Sequence, residues 1–425
     1  MLSTADANLV QRDQAIAGMK IVMDPNAFLT TLQVVRPELD VTSVQLTYLR
    51  YRPTRSCLGA YRVRIQDTVT PMLAHVTAYH GKAWGRLSIP IDNDHHIMYQ
   101  DQVLISLFPG DAILTSLAPL INHDSRQDIL KTLLPASAEA WPANIETLAY
   151  KPQRRYVGRI NFEHGNSVVV KHYRENEYPK AALATMIDCP ATARLRIPRT
   201  LGRSQHHQSL AFEWLPGRVL SSEITTTPAV HSFYACGAAL AEFHALATDN
   251  LKHRTASIKA DKLTAVAKTI AHLHSSLASL AQDIATGIAQ KLLREAPAGQ
   301  RIHGDFSLSQ VILMEKDQVA IIDHDENVCG NPMEDIGLFI ARLLRYEHTE
   351  EITHNQAELL IAAFIEGYQS STQQAITRTL HCHIAAGLFS LSHRPFRAHE
   401  PNWPEGIQRR LEQINDILHS SYPTA

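Results

Sequence analysis

One segment of the chain occurs twice. Leu49-Arg-Tyr-Arg-Pro-Thr-Arg-Ser-Cys-Leu-Gly59 and Leu148-Ala-Tyr-Lys-Pro-Gln-Arg-Arg-Tyr-Val-Gly158 share the pattern L-x-Y-[RK]-P-x-R-x-x-[LV]-G. Each copy leads into alternating residues that read as a strand, over 60–65 in the first and 159–162 in the second. The second copy continues through Glu163-His-Gly-Asn166 into another strand over 167–171, a hairpin. The first has a comparable later strand over 72–79. This layout predicts a duplicated small β-unit, with too few copies for a solenoid.

Between the copies, residues 103–108 read as a strand, and 112–121 and 124–134 as helices. Pro135 and Pro142 then punctuate the chain, so a boundary is expected near 136–146. After the second copy come a helix over 179–187 and a strand over 209–214, stopped by Leu215-Pro-Gly217. From there the chain reads as mainly helical, over 232–246, 258–295, 334–346, 355–368, 371–391 and 404–420. The expected organisation is an N-terminal α+β domain (1–140), a β-rich lobe (141–217) and a helical lobe (218–425). That is α+β, since strands and helices are not alternating βαβ units. A length of 425 residues suits two or three domains.

A net charge of −2 argues against a general nucleic-acid or anionic-membrane binder. No run of about 18 apolar residues predicts a membrane span, and residues 1–26 lack the basic and apolar regions of a secretory leader. The five cysteines are scattered without a CxxC, which fits a reducing, cytoplasmic setting. His381-Cys-His383 has a spacing that points two helical side chains apart, a poor zinc pair.

Chemistry concentrates near Ile302-His-Gly-Asp-Phe-Ser-Leu-Ser-Gln-Val-Ile312 and Val319-Ala-Ile-Ile-Asp323-His-Asp325. Asp323 follows a short apolar run, as at the end of a buried strand. Phosphoryl transfer needs a carboxylate to orient a hydroxyl and accept its proton, plus carboxylate or amide oxygens that hold Mg2+ against the ATP phosphates. Kinase catalytic loops space base and amide as D-x-x-x-x-N. Here that spacing selects Asp305 and Gln310, with Asp323 following across a hairpin-sized span.

These residues resemble the aminoglycoside phosphotransferase and choline kinase superfamily, whose motifs read H-G-D-x-x-x-x-N, I-D-[WF]-[ED] and G-D-P-x-x-D-[LI]-[AG]. The chain has His303-Gly-Asp305, Ile322-Asp323-His-Asp325 and Gly330-Asn-Pro-Met-Glu-Asp335-Ile-Gly337 in that order. Phe212-Glu213-Trp214-Leu-Pro-Gly217 looks like the hinge, Leu240-Ala-Glu-Phe-His244 like a helix motif, and Phe364-Ile-Glu-Gly-Tyr368 like the C-terminal helix. The likeness covers about 146–420 and implies a bilobal protein-kinase-like fold, ATP and Mg2+ as cofactors, and a small-molecule hydroxyl as acceptor. It implies Asp305 as base, Gln310, Asp323 and Asp325 as metal ligands, Glu213 and Trp214 at the nucleotide, and His303 and Asp335 as loop supports. Gln310 departs from the usual Asn, although its carbonyl can still bind a cation and bacterial maltokinases also carry Gln there. Ser307 and Asn331 stand where many relatives have His and Asp.

Val168-Val-Val-Lys171 fits the strand that carries the ATP lysine. Thr77 takes the matching place in the first copy, so residues 1–140 read as non-catalytic. Glu175 and Glu177 are candidate partners of Lys171. No glycine-rich phosphate loop precedes it. The turn there, Tyr150-Lys-Pro-Gln-Arg-Arg155, offers Lys151, Arg154 and Arg155 as phosphate contacts, or else is a solvated charged turn. His393, Arg394, Arg397 and His399 form a basic loop, suited to an anionic acceptor group or to solvent. The expected activity is ATP-dependent phosphorylation of a sugar, amino sugar or amino alcohol. The alternative is an inactive nucleotide-binding module of the same fold.

Overall fold

A computed structural model describes residues 2–89, 92–134, 142–163, 166–185, 192, 194–225, 229–249, 251–372, 376 and 379–419. The chain begins with α1 (Thr4–Arg12), α2 (Met19–Met23) and α3 (Pro25–Val35). Ser3 caps α1 by accepting from the Asp6 N–H, and Asp24 caps α3 from one residue before Pro25. Then come β1 (Val41–Arg52), β2 (Ser56–Ile65), β3 (Met72–Tyr79), α4 (Gly81–Trp84), β4 (His95–Met98) and β5 (Val103–Leu107). They form an antiparallel sheet of order β1-β2-β3-β5-β4. Alternate residues of β2 face α2 and α3, where Tyr61 meets Phe28 with ring centroids 4.2 Å apart.

The second sheet repeats the first. Helices α5 (Leu117–Ile121) and α6 (His123–Leu133) precede β6 (Pro142–Lys151), β7 (Arg155–Phe162) and β8 (Ser167–Tyr173). After α7 (Tyr178–Ala184) and the short β9 (Leu195–Arg196) come β10 (Thr200–Ser204) and β11 (Ser209–Glu213). Strand order is β6-β7-β8-β11-β10, the order of the first sheet. The helix pairs match as well: α2 and α3 have 5 and 11 residues, as do α5 and α6. Register confirms the sequence alignment, because Leu58 faces Thr77 in one sheet and Val157 faces Lys171 in the other.

Both hairpin turns are tied the same way. Thr54 and Gln153 take left-handed backbone at φ 56° and 59°. Asp13 accepts from the Tyr51 hydroxyl at 2.6 Å and the Thr54 N–H at 2.8 Å. Asp111 accepts from the Tyr150 hydroxyl at 2.8 Å and the Gln153 N–H at 2.7 Å. The duplicated unit is therefore longer than the eleven-residue repeat, and its helices come first. Leu117, Leu120, Ile129, Leu130 and Leu133 of α5 and α6 pack on Tyr156, Ile160 and Val170 of the second sheet. The boundary expected near 136–146 is thereby corrected to a point before Asp111. Residues 135–141 lie outside the described residues, and Pro142 opens a strand.

The remaining chain is the helical lobe. Its strands are β12 (Arg218–Val219), β13 (Gln300–Ile302), β14 (Val311–Leu313), β15 (Val319–Ile321) and β16 (Val328–Gly330). They pair as β12-β14-β15-β9 and β13-β16. Helices are α8 (Ala229–His244), α9 (Ala256–Leu273), α10 (Ala278–Leu292), α11 (Met333–His348), α12 (His354–Ser370), α13 (Leu380–Leu391), α14 (Arg394–Arg397) and α15 (Trp403–His419). The single helix expected over 258–295 is two, because His274 turns extended at ψ 101° and a 3-10 turn over Ser275–Leu277 follows. The helix expected from 371 begins at Leu380; residues 373–375, 377 and 378 lie outside the described residues, as do 186 and 187 of the helix expected over 179–187. Helices α8 and α12 touch backbone to backbone. A Cβ on Gly237 would sit 2.0 Å from the Phe364 carbonyl, and one on Gly367 1.9 Å from that of Tyr234. Among the described residues, no helix is long and apolar enough to cross a membrane.

The first unit spans both neighbours. Its core runs on into α9, α10, α13 and α15. The Trp403 indole N–H donates to Asp6 at 3.0 Å, Tyr51 packs edge-on to Phe396, and the Arg397 guanidinium donates to the Tyr48 hydroxyl. Its β-strands also hold the hairpin turn of the second unit, described next.

Candidate active site

The Asp305 loop leaves β13 through His303 and Gly304. Gly304 has φ +78°, and a Cβ there would meet the Glu326 carbonyl at 2.6 Å, so the turn requires glycine. Asp335, in the first turn of α11 and fully buried, receives the His303 N–H at 2.6 Å and the Gly304 N–H at 2.8 Å. His244 stands 3.1 Å from Oδ2, the oxygen that receives the His303 N–H, and is itself 2.9 Å from the Tyr368 hydroxyl. Burial alone would raise the Asp335 carboxyl, but these partners, His244 first, hold it below its ordinary value. His303 reaches the Ile322 carbonyl at 2.9 Å and so joins the Asp305 loop to the Asp323 segment. Asp305 projects from this braced loop with its side chain 46% exposed. Arg342, on α11 two turns beyond Asp335, grips the Asp305 carboxylate and donates to its carbonyl at 3.0 Å.

Asp323 follows β15 in left-handed backbone, φ 69°, a conformation a non-glycine residue keeps only where its surroundings impose it. Lys171 donates to its Oδ1 at 2.7 Å, and Arg155 spans both oxygens at 2.8 and 3.0 Å. Arg155 also binds Asp325, Lys171 lies 3.4 Å from Asp325, and the Tyr173 hydroxyl donates to Asp325 at 3.0 Å. Burial alone would raise Asp323; Lys171 and Arg155 beside it hold it well below the carboxylate range. The same two acids drive the Arg155 guanidinium upward against its own burial. Lys171 is thus partnered by Asp323 and Asp325. Glu177 bonds Arg154 and Arg174 instead, and α7 contains no acid, so among the described residues Lys171 has no glutamate partner.

Gln310 is buried, its amide oxygen accepting from the Ser307 hydroxyl at 2.9 Å while its backbone carbonyl accepts from the Ile322 N–H at 2.9 Å. The convergence of Asp323 and Asp325 on the same cations makes a nest of hard oxygen donors, a set that suits Mg2+. Gln310 keeps a second lone pair on its amide oxygen. Among the described residues no cluster of three or more His, Cys, Asp or Glu could hold a metal, and His383 spends its Nε2 on Glu295 at 2.9 Å.

The basic turn is held in place by the first unit. The Gln153 amide donates to the Thr77 hydroxyl at 3.1 Å and the Tyr79 hydroxyl at 2.9 Å, and its oxygen accepts from Arg50 at 2.8 Å. Thr77, at the position of Lys171 in the duplicate, therefore anchors the turn that presents Lys151, Arg154 and Arg155. Burial, and then Arg155, lowers the Lys151 ammonium. Arg154 lies 3.3 Å from Glu177. Glu213 and Trp214 are placed apart from this cluster: Glu213 pairs with Arg196 and Arg199, each at 3.0 Å, and Trp214 lies under Arg159.

Two cavities meet at Asp305. The smaller, about 340 Å³, is lined by Arg155, Tyr173, Asp323 and Asp325. The larger, about 710 Å³, runs between the helical lobe and the first unit and is lined by Tyr48, Arg345 and Arg394 among others. Lys151, Arg154 and Asp305 border both. Sequence reasoning missed Arg342, Asp111, Gln153 and Tyr173. For Tyr173 a signal existed, since alternation on β8 puts it on the same face as Lys171.

A model of the phosphotransferase enzyme family matches residues 154–378. No curated protein matches the chain in sequence. Among solved structures, an amicoumacin kinase in complex with AMP-PNP, Ca2+ and Ami is 12% identical at a TM-score of 0.50, covering 71% of this chain and 96% of that one. A choline/ethanolamine kinase family protein from Mesorhizobium loti is 13% identical at a TM-score of 0.48, over 70% and 95%. A spectinomycin phosphotransferase in complex with ADP and spectinomycin is 12% identical at 0.45, over 71% and 95%. The likeness to the first of these is one of fold, a small β-rich lobe on a helical lobe, and the α+β bilobal expectation holds.

Proposed function

Because the chain belongs to the phosphotransferase enzyme family, we propose that it carries the γ-phosphoryl group of ATP to a hydroxyl of a small molecule, with Asp305 as the base. The observation that carries this reading is the position of Asp305 on the shared wall of two cavities, one of them lined by Arg155, Asp323 and Asp325, with Lys171 bonded to Asp323.

Asp305 orients the acceptor hydroxyl and takes its proton as the oxygen attacks. Arg342 grips the carboxylate from the wall of the larger cavity. Asp335 and His303 keep the loop from drifting when the acceptor enters. Lys171 and Arg155 supply positive charge for the nucleotide phosphates, and Arg154 and Lys151 extend it toward Asp305. Mg2+, held by Asp323, Asp325 and Gln310, would neutralise charge on the phosphate oxygens. Glu213 and Trp214 belong to the hinge, where the nucleotide base would lie.

A second reading, a nucleotide-binding module without turnover, is favoured by the complete pairing of Asp323 and Asp325 with Arg155 and Lys171. Turnover of ATP with Mg2+ and an acceptor panel separates the two. Wild type is expected to turn over with at least one acceptor, and Asp305→Asn to lose about 10²–10⁴-fold in kcat while keeping nucleotide affinity. Nucleotide binding without turnover on any acceptor favours the second reading. Absence of nucleotide binding overturns both.

A further inference from the structure

The larger cavity is basic at the end away from the nucleotide side. Arg342 and Arg345 are one turn apart on α11, Arg394 and Arg397 one turn apart on α14, and Arg410 comes from α15. Only Arg342 has a carboxylate partner among the described residues, and that partner is Asp305. Arg410, 8% exposed, donates to the Leu391 carbonyl, and Arg397 donates to Tyr48. The Nε–H groups of Arg342 and Arg345 are buried without a hydrogen-bond partner, as is Nδ1 of the adjacent His393. Burial, then crowding by Arg345, Arg342, Arg397 and Arg410, pushes the Arg394 guanidinium down to about 10. Arg410 is buried, Arg342, Arg345 and Arg397 are partly buried and Arg394 is exposed at the cavity wall, so five guanidinium groups crowd one opening, where Glu400 offsets Arg410.

We infer that this arginine cluster is the acceptor's anion site, and that the acceptor is a hydroxyl compound already bearing a phosphomonoester, of the sugar-phosphate or polyol-phosphate class. The inference deepens the phosphotransferase reading and rests on it. Several guanidinium forks around one cavity match the three oxygens and double charge of a phosphate better than a single carboxylate. Arg342, bound to Asp305 and one turn from Arg345, sets the anion a short distance from the base, so a hydroxyl a few bonds from the phosphate reaches Asp305. The reaction then forms a bond from that hydroxyl oxygen to the γ-phosphorus as the bond to the β–γ bridging oxygen breaks. The bond electrons leave with ADP, the hydroxyl proton goes to Asp305, and the product is a bisphosphate. Amino sugars and amino alcohols, cationic at neutral pH, would meet repulsion in the same cavity.

Two measurements on the full chain test this. The first is binding of inorganic phosphate, by calorimetry with Mg-ADP saturating so that the nucleotide side is filled. Wild type is expected to bind phosphate, with affinity roughly 10- to 100-fold lower in Arg345→Gln and in Arg394→Gln, while Mg-ADP affinity stays unchanged. Arg394→Lys, which keeps the charge without the fork, is expected to fall between. No phosphate binding, or binding unaltered in both Gln variants of normal melting temperature, overturns the anion site whatever the enzyme's activity. Loss of Mg-ADP binding by wild type would instead strike the phosphotransferase reading. The second compares kcat/KM for neutral sugars and polyols, their phosphomonoesters, the corresponding sugar acids, and amino sugars. Phosphomonoesters are expected to lead by roughly 100-fold or more, with the lead collapsing in Arg394→Gln. A lead by neutral or amino acceptors overturns the inference, and a lead by sugar acids overturns its phosphate assignment.

Discussion

Replacing Asp111 by asparagine isolates the contribution of one carboxylate to the presentation of the basic turn. Asp111, 4% exposed, accepts from Ile113 and Leu114 N–H through Oδ1 and from the Tyr150 hydroxyl and Gln153 N–H through Oδ2. In Asp111→Asn the remaining oxygen can keep the first pair. The new NH2 then faces Tyr150, whose hydroxyl can rotate to accept, and the Gln153 N–H, which is left without an acceptor. An orphaned buried donor costs about 1–3 kcal/mol, and the two retained bonds each lose roughly 1 kcal/mol of charge assistance. The loss should be about 3–5 kcal/mol, so amides of β6 and β7 should exchange roughly a hundred- to several-thousand-fold faster in native-state hydrogen exchange. The loosened turn carries Lys151, Arg154 and Arg155, so KM for ATP should rise with it. Asp13→Asn is the internal control. Asp13 holds the equivalent turn of the first unit, but its Oδ1 is buried and unpartnered, so the amide NH2 can occupy that side while the oxygen keeps Tyr51 and Thr54. The unpartnered NH2 and the lost charge assistance should again cost about 3–5 kcal/mol, but in the first unit's turn, so KM for ATP should stay unmoved. Less than tenfold faster exchange in Asp111→Asn, or equal effects of the two variants on KM for ATP, would refute the reasoning.

Gly237→Ala drives a methyl into the Phe364 carbonyl at 2.0 Å and should cost about 1–3 kcal/mol or more by forcing α8 from α12, lowering the melting midpoint by several degrees. Because α8 carries His244 to Asp335, kcat should fall as well; a normal melt with normal kcat would contradict this. Burial depresses the imidazoles of His75, His172 and His393 to about 4 and of His324 to about 3, from 6.5. The unfolded chain takes up protons below 6.5 that the folded chain refuses, so stability is full above that pH and falls on acidification toward about pH 4. Each histidine contributes up to about 1.4 kcal/mol per pH unit in that window. Urea midpoints should therefore be flat from pH 7 to 8.5 and drop steeply below pH 6, and equal midpoints at pH 7 and 5 would contradict the burial argument. Asp335→Ala leaves the His303 and Gly304 N–H groups unsatisfied in the core and should cost about 3–5 kcal/mol, read by thermal unfolding.

Local pattern determined a good deal on its own. The Asp305 loop, the Asp323 segment and the lysine strand are legible because each couples a short apolar run to a polar residue at set spacing, and strand periodicity aligns Thr77 with Lys171, in agreement with the register of the two sheets. The eleven-residue repeat pointed to a duplicated unit but not to its start. Asp13 and Asp111 lie well before the turns they hold, and a hydrogen bond closed by folding leaves no periodic mark in the sequence. Only the tertiary structure decided that Arg155 stands with Lys171 on the two acids, and that arginines from α11, α14 and α15 face one cavity. Long-range charge pairing depends on where elements pack, which is set by the summed burial of many apolar faces. The same packing leaves the first unit, catalytically silent by sequence, as a wall of the site through Tyr48 and as the anchor of the basic turn through Thr77 and Tyr79.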